Sequence, residues 1–203
     1  MGICYIVGAG ECEGIGFEKQ KDDIVIAADG GYKYLQSANI TPDFIIGDFD
    51  SLGEIPDAEN VIRLNPVKDI TDMNAAADVG IEKGFGEFVI YGATGGRIDH
   101  SVANIQLLSS LSERGFKACI KNGKTLITAV TNGAMNFDSS FSGYISVFAH
   151  TDICENVCIS GLKYSVENAA FKNNFALGVS NEFVGKESRI SVEKGTLLIV
   201  VNA

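Results

Sequence analysis

Residues 87–101, EFVIYGATGGRIDHS, decide the fold. Phe88, Val89, Ile90 and Tyr91 read as a buried strand, and Gly92, Gly95 and Gly96 read as a turn. After the turn, Val102, Ile105, Leu108 and Leu111 recur every three residues on one helical face until Gly115 breaks the pattern. A strand that feeds a helix through a glycine turn is the building unit of a parallel α/β sheet. The turn also carries chemistry. Small residues at Gly92, Ala93, Gly95 and Gly96 let backbone amides approach phosphate oxygens, and Arg97 adds a charge-assisted fork. The pattern is neither G-x-G-x-x-G nor a Walker sequence. A plain turn is the alternative reading, and Arg97, Asp99 and His100 immediately after it weigh against that. His100 reads either as a base or as a structural residue at a helix start.

Upstream, the same kind of apolar, β-branched run recurs as ICYIVGA, DIVIAAD, DFIIGD and NVIRL. Between the last of these and the opening strand, Met73, Ala76, Ala77, Gly80 and Ile81 fall on one helical face, with Thr71 placed to cap the helix and Gly84 to end it. Downstream, the run KACI follows the second helix. Beyond about Thr125 the helical period is lost, and short strands such as YISVFA, NVCIS and TLLIVV alternate with Gly, Asn and Ser clusters. The expectation is an N-terminal α/β domain with a mainly parallel, Rossmann-like sheet over residues 1–124 and an all-β domain over 125–203. The change of texture falls at about Gly123 to Asn132 without a Pro-rich or Ser-rich linker, so the two parts are expected to pack together.

With 203 residues and 46% hydrophobic content, the chain has enough apolar surface for real cores. Its 16 Lys and Arg against 26 Asp and Glu leave a net charge of −10, which argues against a surface that tracks nucleic-acid phosphates. No run reaches the roughly 18 apolar residues of a membrane helix, and MGICYIVGAGEC lacks the basic start of a signal peptide. Cys4, Cys12, Cys119, Cys154 and Cys158 are odd in number and scattered, without the paired spacing of a zinc site. Reduced thiols and a cytoplasmic address are the expectation.

Four aspartate clusters lie at or just past the ends of the N-terminal apolar runs. They are Asp29 in ADGG, Asp48 and Asp50 in GDFDS, Asp69 and Asp72 in KDITD, and Asp99 in GATGGRIDH. If GDFDS stays extended, Asp48 and Asp50 point to one side, where they repel unless a cation lies between them. Mg²⁺ suits such a set because it takes a few carboxylates together with waters and phosphate oxygens. An exposed acidic loop is the alternative. In KDITD, helix capping explains Asp72 but not Asp69 and Lys68 beside it at the same junction, where α/β folds place ligands.

Taken in order, ADGG, PDFIIGDFDS, KDITD and GATGGRIDH resemble the thiamine pyrophosphokinase family, and GLKYSVEN and LGVSNEF resemble its thiamine-binding β domain. The resemblance implies a β-sandwich for the second domain, a homodimer, and transfer of pyrophosphate from ATP to the thiamine hydroxyl, giving AMP. It places Asp48, Asp50 and Asp72 at the catalytic centre as Mg²⁺ ligands, with Asp99 orienting or deprotonating the hydroxyl. It assigns ATP and its phosphates to Asp29, Lys68, Asp69, Thr94, Gly95, Gly96 and Arg97, and thiamine to Asp99, His100, Ser180 and Asn181. The chain has no Trp, so any stacking on thiamine must come from Tyr or Phe. Two other readings remain open at this point: a pyrophosphokinase for another heterocyclic alcohol such as a hydroxymethylpterin, and a non-catalytic nucleotide-binding module.

Overall fold

The computed structural model describes residues 2–49, 60–65 and 70–203. The chain divides into two compact units. One runs to Leu107 and takes in Ile120–Gly123, and the other comprises Leu108–Cys119 and Lys124–Ala203.

In the first unit, strands β1 (Cys4–Val7), β2 (Ile24–Ala28), β3 (Phe44–Gly47), β4 (Val61–Arg63) and β5 (Glu87–Tyr91) lie in the order β5, β1, β2, β3, β4. Every pairing among them is parallel. All four residues of β1 and all five of β2 are buried, as expected for strands covered on both faces, and this explains why they read as unbroken apolar runs. Ile6, Ile26, Ile46 and Ile90 are fully buried and contribute about 1.5–3 kcal/mol each. The helices α1 (Gly31–Ser37) and α2 (Asp72–Glu82) follow β2 and β4. Glycines set their approach to the sheet. A Cβ on Gly31 would lie 1.9 Å from the Val7 carbonyl oxygen, and one on Gly80 would lie 2.7 Å from the Phe88 ring and 2.8 Å from Cys4 Sγ.

Helix α2 starts and stops where the sequence indicates. Thr71 Oγ1 accepts the Asn74 N–H at 3.2 Å, and Gly84 takes φ +89° past the end. Helix α3 (Ile98–Glu113) also ends before Gly115, which takes φ +84°. Its buried face is Asn104, Leu107, Leu108 and Leu111, whereas Val102 is half exposed. The apolar stripe read from Val102 therefore begins one turn too early, because the first turn of α3 is exposed, Ile98 included.

Strand β6 (Lys117–Asn122) follows α3, and the turn at Gly123 (φ +54°) leads into β7 (Thr125–Thr131). In the second unit β7, β9 (Tyr144–Ala149), β12 (Gly178–Glu182) and β14 (Thr196–Asn202) pair antiparallel in the order β12, β9, β14, β7. The expectation of a mainly parallel sheet is corrected on this point: the large sheet is mixed. The reason is local. Asn122-Gly123 is a hairpin signal, and strands joined by tight reversals run antiparallel. A second sheet of β8 (Ala134–Phe137), β10 (Ile153–Ser160), β11 (Val166–Lys172) and β13 (Ser188–Ser191) lies in the order β11, β10, β13, β8. Ile145, Val147, Leu197 and Ile199 from the first of these sheets pack with Val157, Phe171 and Ile190 from the other. This core between two sheets is that of a β-sandwich. Among the described residues, no helix is long and apolar enough to cross a membrane.

Candidate active site

The parallel strands of the first unit all end on one side; the chain leaves β2 and β3 through acidic residues, and a third acid opens the helix that follows β4. Asp29 follows β2 and takes φ +47°, a left-handed conformation that costs a non-glycine residue on the order of 1 kcal/mol. Its N–H donates to the Ile46 carbonyl at 2.7 Å, which ties it to β3. Gly47 makes room for it, since a Cβ there would come within 3.1 Å of Asp29 Cα. Asp48 follows β3. The next residue, Phe49, is buried and takes φ +63°, so the extended conformation ends there. The condition on which Asp48 and Asp50 would share one side of a strand is thus not met at Phe49, and Asp50 lies outside the described residues. Asp72 opens α2, directly after its cap Thr71.

These three turns bring together one carboxylate oxygen each from Asp29, Asp48 and Asp72, all within 4.8 Å of one another. Opposite ligands of an octahedral Mg²⁺ lie about 4.2 Å apart, twice its usual bond length. Three half-buried carboxylates at nearly that spacing thus fit a hard, oxygen-seeking cation. They line a cleft of about 290 Å³ with Gly8, Met73, His100 and Asn104. His100 thus joins the acids, on the first turn of α3.

Arg97 and Asp99 do not join them directly. Arg97 Nη2 donates to Asp99 Oδ2 at 2.6 Å and Nε to Oδ1 at 3.2 Å, and both side chains are well exposed. The hydrogen bond that Arg97 donates holds the Asp99 carboxyl below the usual carboxylate range, and the accepting carboxylate raises Arg97. Arg97 also closes the first turn of α3, its carbonyl accepting the Ser101 N–H at 3.2 Å. The turn containing Thr94, Gly95 and Gly96 lies beside the segment leaving β1: Gly10 N–H donates to Gly92 O and Glu11 N–H to Thr94 O, both at 2.8 Å.

In the second unit, Ser180 is exposed and takes φ +59°, in the irregular stretch where the β12–β9 register shifts. Asn181 is buried. Its Oδ1 accepts the Tyr164 N–H at 3.0 Å and its Nδ2 donates to the Tyr164 carbonyl at 2.8 Å, so both polar ends serve the backbone. Asp50, Lys68 and Asp69 lie outside the described residues.

Two side chains that hold the turn after β5 have no reading from the sequence. Asn104 is 6% exposed and donates to the Ala93 carbonyl at 2.7 Å from the cleft wall. An Asn among the apolar residues of a helical face was the signal. Glu11, in the glycine-rich VGAGE segment, gave none beyond its position after a strand.

Residues 18–120 match the thiamin pyrophosphokinase catalytic domain, and residues 134–197 match the thiamin pyrophosphokinase vitamin B1 binding domain. The chain belongs to the thiamin pyrophosphokinase family. The thiamine pyrophosphokinase of Bacillus subtilis strain 168 is 29% identical over 183 residues, covering 86% of this chain and 85% of that protein. A crystal structure of thiamine pyrophosphokinase from Bacillus subtilis superposes with a TM-score of 0.88 at 28% identity, covering 99% of each chain. One from Geobacillus thermodenitrificans gives 0.85 at 26% identity, covering 99% of this chain and 97% of that one. The family is one of diphosphotransferases, and Asp29, Asp48, Asp72, His100 and Asn104 of the cleft lie within the matched catalytic segment.

Proposed function

We propose that the chain is a thiamine diphosphokinase, transferring the pyrophosphoryl group of ATP to the thiamine hydroxyl and releasing AMP. The observation that carries this reading is the convergence of Asp29, Asp48 and Asp72 within 4.8 Å, in the segment that matches the catalytic domain. In the reaction the hydroxyl oxygen bonds to the β-phosphorus, the bond from that phosphorus to the α-bridging oxygen breaks, and the hydroxyl loses its proton. Such transfers depend mainly on alignment and on stabilising charge spread over phosphate oxygens.

Residues 1–124 form the ATP-binding half of this reading and residues 125–203 the thiamine-binding half. Asp48 and Asp72 would hold Mg²⁺ together with Asp50, and Asp29 completes the acidic set. Bound there, Mg²⁺ supplies neutralisation of phosphate charge. The residues of the chain do the rest. Gly95, Gly96 and Thr94 shape the turn that faces ATP phosphates, with Arg97 at its end, and the family resemblance adds Lys68 and Asp69 to the groups that hold ATP. Asp99 holds the Arg97 guanidinium in a two-point grip. A carboxylate committed in this way and held below its usual range is a weak base, so its part is to orient Arg97. His100, on the same helical turn, is the better placed of the two to meet the substrate hydroxyl. Ser180 offers a hydroxyl to the thiamine aminopyrimidine, and Asn181, bonded to the Tyr164 backbone, fixes the next residue of the strand.

The vitamin B1 binding match over residues 134–197 favours thiamine over a pterin alcohol. A homodimer is part of the proposal. It is supported by β12, an edge strand, and by the exposed apolar side chains of Leu177 and Val179 in and beside it. Five free cysteines accord with a cytoplasmic site of action. The deciding experiment incubates the protein with Mg²⁺, ATP and thiamine or a hydroxymethylpterin. AMP and thiamine diphosphate should form in equal amounts, and ADP with thiamine monophosphate would overturn the reading.

A further inference from the structure

The turn Gly92–Gly96 has little conformational preference of its own. Gly92, Gly95 and Gly96 take φ of +59°, +81° and +62°, and each ordered residue costs about 1–2 kcal/mol of backbone entropy, glycine the most. Something outside the turn must hold it. Backbone bonds from Gly10 and Glu11 fix Gly92 and Thr94, and Asn104 fixes the Ala93 carbonyl from the α3 side. The far end of the turn, from which Arg97 projects, is held by a side chain. Glu11 Oε1 accepts the Gly96 N–H at 3.0 Å. The same side chain fills the space that a Cβ on Gly95 would need, with its Cβ, Cγ and Cδ all within 2.6 Å of that position. The Glu11 stem lies on one glycine and its carboxylate grips the next.

We propose that Glu11 is a positioning residue for ATP binding: it locks the Gly95-Gly96 end of the turn, and so places Arg97 and the start of α3, before nucleotide arrives. This rests on the reading of the turn as a phosphate-facing element. The Gly96 amide is then a structural group committed to Glu11. Glu11 itself touches no substrate. Without it, Mg-ATP must pay to order the turn on binding, a cost that falls on the ground state and the transition state alike and hence on KM.

The full chain is compared with the E11Q, E11D and E11A variants by two measurements. The first needs no activity: amide hydrogen exchange of the peptide spanning residues 92–97, without nucleotide. Exchange should be at least about ten-fold faster in E11A, as expected for loss of a hydrogen bond to a charged group. E11D, one methylene too short to reach, should follow E11A. E11Q keeps an acceptor oxygen at the same reach and should stay within about three-fold of the parent. The second measurement is AMP formation. KM for Mg-ATP should rise about ten-fold in E11A, with kcat and the KM for thiamine nearly unchanged, and E11Q should restore it. Unchanged exchange in E11A and E11D overturns the proposal, as does slowed turnover at unchanged KM. If the parent forms no AMP but the exchange pattern holds, the functional reading fails while the lock stands.

Discussion

Replacing Asp48 by Asn should stabilise the protein in the absence of divalent cations while destroying its activity. Three carboxylate oxygens within 4.8 Å of one another form three repelling pairs. At that distance a pair of unit charges repels by about 3.5 kcal/mol at an effective dielectric of 20, and by about 0.9 kcal/mol in water. Asp48→Asn removes two of the three pairs. The groups are half-buried and face a cleft, so the lower figure applies, further reduced by salt. A gain of about 1–2 kcal/mol is expected, or roughly 3–6 °C in Tm for a chain of this size. Asp48 suits the test because it stands outside any helix. Asp72, by contrast, also favours the N-terminus of α2, and its loss would offset the gain by about 0.3–1 kcal/mol. The assay is thermal unfolding in EDTA and in millimolar Mg²⁺, for the parent and the variant. Mg²⁺ should raise the Tm of the parent and leave that of D48N nearly unmoved, reversing their order. Turnover should fall at least about 100-fold, the scale of losing one electrostatic stabiliser. If D48N melts at or below the parent in EDTA, or if Mg²⁺ raises both equally, the three carboxylates do not act as one cation site.

Ser180→Ala should raise the KM for thiamine several-fold with little change for ATP, measured by AMP formation; an ATP-specific defect would contradict the placement of the β12 loop. Asn181→Ala should behave differently, because it strips both partners from the Tyr164 backbone. A loss of about 1–3 kcal/mol in urea unfolding is expected, and a thiamine-binding defect at unchanged stability would assign Asn181 to the substrate instead. Burial, followed by the nearby Asp43 charge, pushes the Cys4 thiol up to about 12. Between the ordinary value of 9.0 and about 12, the unfolded chain ionises Cys4 and the folded chain does not, so this thiol's contribution to stability is intact below 9 and is lost as pH rises through that window. At pH 8, a thiol reagent should modify Cys12, Cys119 and Cys158 well before Cys4 or Cys154, and equal rates for all five would contradict the burial of the two.

How far the sequence carries depends on whether a feature is local. The buried strands β1, β2, β3 and β5 were legible because strands covered on both faces leave unbroken apolar runs, and α2 was legible because its cap, its face and its terminating glycine are all within fourteen residues. The mixed character of the large sheet was hidden, although Asn122-Gly123 was in plain view. A hairpin signal fixes the reversal of two strands but not which sheet they join. The acidic cleft shows the same limit. Position after strand ends was enough to gather Asp29, Asp48 and Asp72, because parallel strands deliver their C-termini to one side whatever the details. Strand alternation contributed nothing to placing Asp48, since it needs an extended segment and Phe49 takes a left-handed conformation. Arg97 and Asp99 show why nearness in sequence is a poor guide to a shared task with distant acids. Two residues apart at a helix start, they satisfy each other first. Glu11 is the converse. Eighty-five residues separate it from the amide it holds, and what marks it in space is the space left by Gly95, a missing atom that no sequence pattern records.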